Sequence, residues 1–319
     1  MSGPGSPLAD LVAEELALPV DPRVTAMGAA VAAQYPQAAR AVLFYGSCLR
    51  ERALDGLMLD FYLIVSSYRE AYGRGWYAFA NKLVPPNVFP FEHDGLAAKY
   101  AVLSEADFAR ENSLRARSVS VWARFAQPSR LVWAKDEAAR GRVVAAVAEA
   151  ISTLFALTVP AMTGDERRDP LAIFRTGFRL TYGAELRAER KGRSVSIIDA
   201  DPNRYARFGQ AALDIFRAPK PPKHRAESDQ SVWQHGRERV GVRKRAQRAW
   251  RWRARKGKAL SVIRLMKATT TFAGGVDYIA WKINRHAGTE LVVKPWQRRW
   301  PILGALTLLP RLLRRGAIR

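Results

Sequence analysis

Five short β-rich runs fall between residues 40 and 135: "AVLFYG", "LDFYLIV", "NVFPF", "KYAVLS" and "RLVW". Gly, Pro, polar turns and helical segments separate them. Most of the strand signal lies there, so a sheet has to be built from that part of the chain. From Asp136 to Phe216 the apolar residues recur at helical spacing instead, as in Val143, Val144, Val147, Ile151, Leu154 and Phe155, with "MTGDERRDP" as a loop between helices. Strands followed by helices predict an α+β fold: a mixed-sheet domain over residues 1–135 and a mainly helical domain over 136–258. Within the latter, "APKPPKHRAESDQS" reads as a Pro-broken linker. It leads into "RKRAQRAWRWRARKGK", for which a solvated basic segment and an interacting arm both stay open. A third region, 259–319, opens with Val262, Leu265, Met266, Phe272, Val276, Ile279 and Ile283. Their spacing predicts an amphipathic helix with Arg264, Lys267 and Lys282 on its other face. The terminal "KPWQRRWPILGALTLLPRLLRRGAIR" mixes Trp, Leu and Arg as an interfacial anchor does.

Charge divides the chain as sharply. Residues 1–216 hold 26 basic and 24 acidic side chains, whereas residues 217–319 hold 26 and 5. An ordinary body followed by a polycation calls for an anionic partner, a membrane surface or a nucleic acid. The single cysteine, Cys48, excludes an intramolecular disulfide and a cysteine-built metal cage. With no histidine near it in sequence, it is expected to be a small buried thiol. His93, between Glu92 and Asp94, reads as a turn rather than a metal ligand. The first basic residue, Arg23, follows Asp10, Glu14, Glu15 and Asp21, the reverse of a secretory n-region. The longest apolar run, "VVAAVAEAISTLFALTVPAM", is broken by Glu149 and Pro160 and reads as a buried helix. "WPILGALTLLPRLL" falls short of the ~20 apolar residues a span needs. The chain is therefore expected to lie on a membrane rather than cross it.

The chemistry concentrates in "FYGSCLRERALDGLMLDFYLIV". A Gly-Ser turn after a strand lets backbone N–H groups approach a phosphate, because glycine has no Cβ and a following helix offers unpaired donors. In the next strand side chains alternate faces, so Asp60 and Tyr62 share one side while Leu59, Phe61, Leu63 and Val65 share the other. An acid on the ligand side, downstream of such a turn, suits a Mg²⁺-triphosphate site. Nucleotidyltransferases in general carry a second acid where Tyr62 stands.

Six segments in order resemble the mitochondrial translocator-maintenance type of phosphatidate cytidylyltransferase, of the nucleotidyltransferase superfamily. "FYGS" (Phe44 to Ser47) and "MLDF" (Met58 to Phe61) are similar to its turn and aspartate strand, and "KYAVLS" (Lys99 to Ser104) to its lysine strand. "WARFAQP" (Trp122 to Pro128) resembles the helix end that supplies an arginine, and "LTYGAELR" (Leu180 to Arg187) a segment with tyrosine, glycine, acid and arginine. "IRLMKATTTFAGG" (Ile263 to Gly275) resembles the lysine-bearing C-terminal helix. The resemblance implies conversion of CTP and phosphatidate to CDP-diacylglycerol and pyrophosphate, with Mg²⁺; the lack of an Arg-rich transit pattern and the Ala/Arg-rich usage point to the cytoplasmic face of a bacterial inner membrane. The resemblance assigns Asp60 and Lys99 to catalysis, Asp60 and Glu185 to the metal, and Tyr45, Gly46, Ser47, Arg124 and Lys267 to the substrates. Asp55 and Glu92 are the other candidates for the second acid. The sequence departs from the pattern at Tyr77, where a histidine is expected, and at Gln127, which replaces a basic residue, while Trp76, Asn81 and Asn87 are kept. Two other readings compete. One is a nucleic-acid-modifying nucleotidyltransferase using the Arg/Trp run, against which the missing second acid and "PILGALTLLP" argue. The other is a non-catalytic membrane-surface binding protein.

Overall fold

In the computed structural model the described residues are 5–50, 54, 56–73, 75–185, 197–217, 240–271 and 294–295. All five β-rich runs become strands of one sheet: β1 (Ala39–Tyr45), β2 (Met58–Val65), β3 (Asn87–His93), β4 (Leu96–Ser104) and β5 (Ser129–Ala134). Their order is β3-β4-β2-β1-β5, with β2 and β4 parallel and the other pairs antiparallel, so the fold is α+β with a mixed sheet.

The alternation along β2 sorts its side chains as expected. Leu59, Phe61, Leu63 and Val65 pack with Val42, Phe44 and Val102 in one core layer, whereas Tyr62 and Ile64 join Leu43 and Leu103 in the other. Helix α1 (Pro7–Ala17) covers the Tyr62 face and α2 (Pro22–Ala33) the opposite one. Both escaped the sequence reading, although each carries a helix-start signature. Proline stands in the first turn, and Ser6 Oγ and Asp21 Oδ1 accept from the Ala9 and Arg23 N–H groups at 3.2 and 2.8 Å.

Short helices α3 (Tyr68–Tyr72), α4 (Trp76–Leu83), α5 (Glu105–Glu111) and α6 (Trp122–Phe125) connect the strands. The long ones, α7 (Glu137–Thr158), α8 (Pro170–Gly183), α9 (Pro202–Arg217) and α10 (Val240–Thr271), follow the sheet. Among the described residues one helical stretch, Glu137–Ala161, is long and apolar enough to span a membrane, and two thirds of its apolar window is buried. It packs on β1, β5, α1, α6 and α8, as the interrupted apolar run predicts.

Two expected boundaries look different in three dimensions. One core runs from Leu8 of α1 through the sheet to Phe155 of α7, Tyr205 of α9 and Trp250 of α10, so residues on both sides of 135/136 share it. The boundary at 258/259 falls inside the continuous helix α10, and the Arg/Trp run from 240 onward is helical rather than a solvated coil. The reason is a seam of every seventh residue. Trp250 is buried and donates to the Leu157 carbonyl at 2.8 Å, Gly257 crosses the Ala184 carbonyl with no room for a Cβ, and Arg264 bonds the 118–120 segment. Phe272, Val276, Ile279, Ile283 and the anchor at 296–319 lie outside the described residues.

Candidate active site

Strand register builds a row of four groups. Asp60 in β2 stands opposite Tyr45 in β1 and opposite Lys99 in β4. After Tyr45 the chain turns at Gly46 with φ +99°, a conformation glycine adopts freely, and a Cβ there would lie 3.3 Å from Asp60 Oδ2. The turn backbone thus passes directly against the carboxylate. Lys99 Nζ lies 2.7 Å from Asp60 Oδ1, and each side chain is 22% exposed. The contact is an ion pair without hydrogen-bond alignment, and Oδ1 makes no hydrogen bond among the described residues. Ser47 begins a single 3₁₀ turn, Ser47–Arg50, with Leu49 N–H donating to the Gly46 carbonyl at 3.3 Å. The expected short helix after the turn is therefore one tight turn. Its contribution to anion binding is local N–H groups rather than a helix dipole.

A second cluster adjoins this row. The Tyr45 and Tyr62 rings lie 5.2 Å apart, and Tyr62 packs edge-on to Phe125 at 5.1 Å. Burial raises both phenols above the ordinary tyrosine value, with Asp60 adding to the rise, so Tyr62 supplies a neutral hydroxyl where a second acid was to be sought. Burial also acts to lower Arg124, but Glu185, Tyr62, Tyr45 and Asp60 outweigh it and hold the guanidinium above its ordinary value. Arg124 Nη1 donates to the Ser120 carbonyl and lies 3.8 Å from Glu185 Oε1. Glu185, 5% exposed and just past α8, accepts from the Ser120 hydroxyl.

Helix α10 closes the other side. Arg264 donates to Ser120 Oγ at 2.5 Å, Ser118 Oγ at 3.1 Å and the Pro85 carbonyl at 3.0 Å. Lys267 donates to the Val84 carbonyl, and burial followed by the nearby Arg264 lowers its pKa to about 7. Ser118, Ser120 and Arg264 had no assigned part in the sequence reading. Only the single-turn spacing of Arg264 from Lys267 hinted at one of them.

The structure thus brings Tyr45, Gly46, Asp60 and Lys99 into one row and places Arg124 and Glu185 beside it, both acting on Tyr62. Lys267 sits against the 84–85 segment. Among the described residues no three His, Cys, Asp or Glu side chains gather as a metal cage. Mg²⁺ needs less than that, since it is usually held by one or two carboxylates with substrate phosphates and water. Asp60, with Oδ2 beside the glycine turn and Oδ1 against Lys99, fits such a role, whereas Glu185 is already compensated by Ser120 and Arg124. Asp55 lies outside the described residues, and Glu92 is exposed on the outer strand β3.

The remaining motif residues serve the framework. Asn81 Nδ2 donates to the Val102 carbonyl at 2.9 Å and Asn87 Nδ2 to the Tyr77 carbonyl at 3.0 Å, which ties α4 to β4 and β3. Gln127 donates to the Ala123 carbonyl at 2.8 Å, and Cys48 is a buried thiol near the Met58 carbonyl. His93 lies 3.4 Å from Asp94 at the β3 end. No protein-family model and no curated protein matches this chain.

Proposed function

We propose that this chain is a nucleotidyltransferase that transfers a cytidylyl group from CTP to phosphatidate at an anionic membrane surface, giving CDP-diacylglycerol and pyrophosphate. The observation that carries the reading is the Gly46–Asp60–Lys99 row: a turn without a Cβ, a carboxylate whose Oδ2 faces that turn and a cation paired to it from the next strand. An ionised phosphatidate oxygen attacks the α-phosphorus of CTP, and the bond to the bridging oxygen breaks as pyrophosphate leaves. The nucleophile already carries its charge near neutral pH, so the reaction needs alignment and charge neutralisation more than a base.

Gly46 and Ser47 present backbone N–H groups to the triphosphate, with Tyr45 as the floor beneath them. Lys99 and Arg124 offset phosphate charge, and Lys267 meets the phosphate of the lipid or of the leaving group. Asp60 would hold the Mg²⁺, which when bound would neutralise the phosphates and polarise the reacting centre; Glu185, held by Ser120, orients Arg124. The neutral Tyr62 distinguishes the site from two-acid polymerising enzymes.

Membrane-surface placement is supported by residues on two elements. Trp76, Phe79 and Leu83 stay largely exposed on one face of α4, while Asn81 on its other side is anchored to β4. The C-terminal polycation follows from 240 onward. Trp and Leu beside Lys and Arg suit the headgroup boundary on the cytoplasmic face of an inner membrane. Incubation of the purified chain with labelled CTP, Mg²⁺ and either phosphatidate vesicles or RNA tests the reading. A labelled CDP-lipid is expected; labelled RNA, or vesicle binding without any product, removes it.

A further inference from the structure

A cavity of about 250 Å³ opens between the 113–119 segment and α10, and none of Tyr45, Gly46, Asp60 or Lys99 lines it. Arg117, Arg253 and Lys256 contribute charge to its wall, Ser113 and Ser118 contribute hydroxyls, and no aspartate or glutamate lines it. Two of the most buried arginines have carboxylate partners, Arg124 with Glu185 and Arg204 with Glu15, and Arg264 is held by Ser118, Ser120 and the Pro85 carbonyl. Arg253 does not share that arrangement. Burial acts on it alone, with no carboxylate opposing, and its pKa falls below the ordinary arginine value. Arg117 is tied to the Leu83 carbonyl at 3.3 Å, which leaves Arg253 and Lys256 to repel each other across the cavity unless an anion enters.

The details point to a phosphate. Ser118 Oγ already accepts from Arg264 and from the Ser120 N–H, so its own O–H is available to an acceptor. Arginine beside lysine suits a phosphate ester, which the planar guanidinium grips through two N–H groups while the ammonium adds a point charge. Trp252 and Leu114, 61% and 58% exposed, lie on the lining of the same cavity, and Lys256 sits over the Trp252 ring at 5.0 Å. An amphipathic rim around a cationic pocket is what the headgroup boundary of a bilayer meets.

We infer that this cavity is a second anion site, which takes the phosphate ester of an anionic phospholipid headgroup and is separate from the Asp60 row. The inference does not depend on nucleotide transfer, and its test requires no turnover. The full chain is bound to vesicles of neutral phosphatidylcholine with and without an anionic phospholipid, and separately titrated with inorganic phosphate and with glycerol phosphate.

Two variants carry equal charge changes on the same helix: Arg253→Gln with Lys256→Gln in the cavity, and Arg251→Gln with Arg255→Gln on its exposed face. Two lost charge-assisted hydrogen bonds predict a fall of about a hundredfold in anionic-vesicle affinity for the cavity pair. Diffuse surface attraction predicts about a tenfold fall or less for the exposed pair. Loss confined to the vesicle arm identifies a lipid source, and equal loss in the soluble arms identifies a free phosphate ester. Equal losses for both variant pairs in every arm, with circular dichroism showing both folded, overturn the site.

Discussion

Two carboxylate–cation pairs of nearly equal length lie on the same side of the sheet, and they differ in everything except length. Glu15 of α1 and Arg204 of α9 meet twice, at 2.6 and 2.8 Å, with both side chains under 10% exposed. The third guanidinium nitrogen donates to the Ala126 carbonyl at 3.0 Å, and the group stacks over Phe208 at 4.3 Å. Asp60 and Lys99 meet once, at 2.7 Å, both partly open, with a carboxylate oxygen left without a hydrogen bond. A saturated pair fastens three helices together. The Asp60–Lys99 pair, each side chain 22% exposed and set against a glycine turn, lies where the proposed ligand would reach it. Burial and satisfaction, rather than the presence of an ion pair, separate framework from site.

The most severe test replaces Asp60 by Asn, which keeps shape and removes charge. Turnover of CTP is expected to fall by at least about a thousandfold, since the metal and the charge balance of the row both depend on that carboxylate. The thermal midpoint should move by only a few degrees, because the pair is partly open to solvent and Asn keeps the shape of the side chain. Near-normal turnover would remove the row from the mechanism.

Glu15→Gln applies the same change to the saturated pair and should invert the outcome. Stranding Arg204 in the core is expected to cost about 3–5 kcal/mol of stability. The double variant Glu15→Leu with Arg204→Met should recover much of that loss in denaturant titration. A neutral single variant would erase the contrast drawn between the pairs.

Two glycines sharpen it further. Gly46 and Gly56 both have positive φ, at +99° and +72°, but a Cβ at 46 meets Asp60 whereas one at 56 meets nothing within 4 Å. Alanine at either should cost about 1–2 kcal/mol in backbone strain. Only Gly46→Ala should also reduce turnover, by about ten- to a hundredfold, through displacement of the carboxylate. Equal effects on turnover at the two positions would mean that strain alone is being read.

The strands and the facing of Asp60 and Tyr62 were legible because a period of two sorts side chains whatever lies above the sheet. Of helix α10 only the part from Val262 on was legible, as an amphipathic helix; its earlier packed residues recur once in seven as a tryptophan and a glycine, so the Arg/Trp run shows no apolar stripe and its reading stayed open. Helices α1 and α2 were legible in principle through Ser6, Asp21 and the prolines that follow them. Ser118 and Ser120 carry no pattern at all. Their part depends on Arg264, which lies more than a hundred residues away and reaches them through tertiary packing.

A pH-dependent effect lies at Lys267, where burial and Arg264 lower the ammonium from 10.5 to about 7. Arg117, which donates to the adjacent Leu83 carbonyl, adds a further cation nearby, while the Val84 carbonyl accepts from the lysine. Between these pH values the unfolded chain binds more protons at this position than the folded one. The contribution to stability therefore rises with pH across the window, is complete above 10.5 and is lost as pH falls through about 7. Lys267→Met removes that linkage, so the variant should exceed the wild type in stability most at pH 6, with the gap narrowing toward pH 10. Denaturant titrations of both proteins across that range measure it. A phosphate beside Lys267 raises its pKa again, so binding of phosphatidate vesicles should weaken as pH rises past neutrality in the wild type more than in the variant. A stability gap that does not change with pH would show that Lys267 stays charged where it sits, with solvent or the substrate side of the site compensating it rather than the Val84 carbonyl.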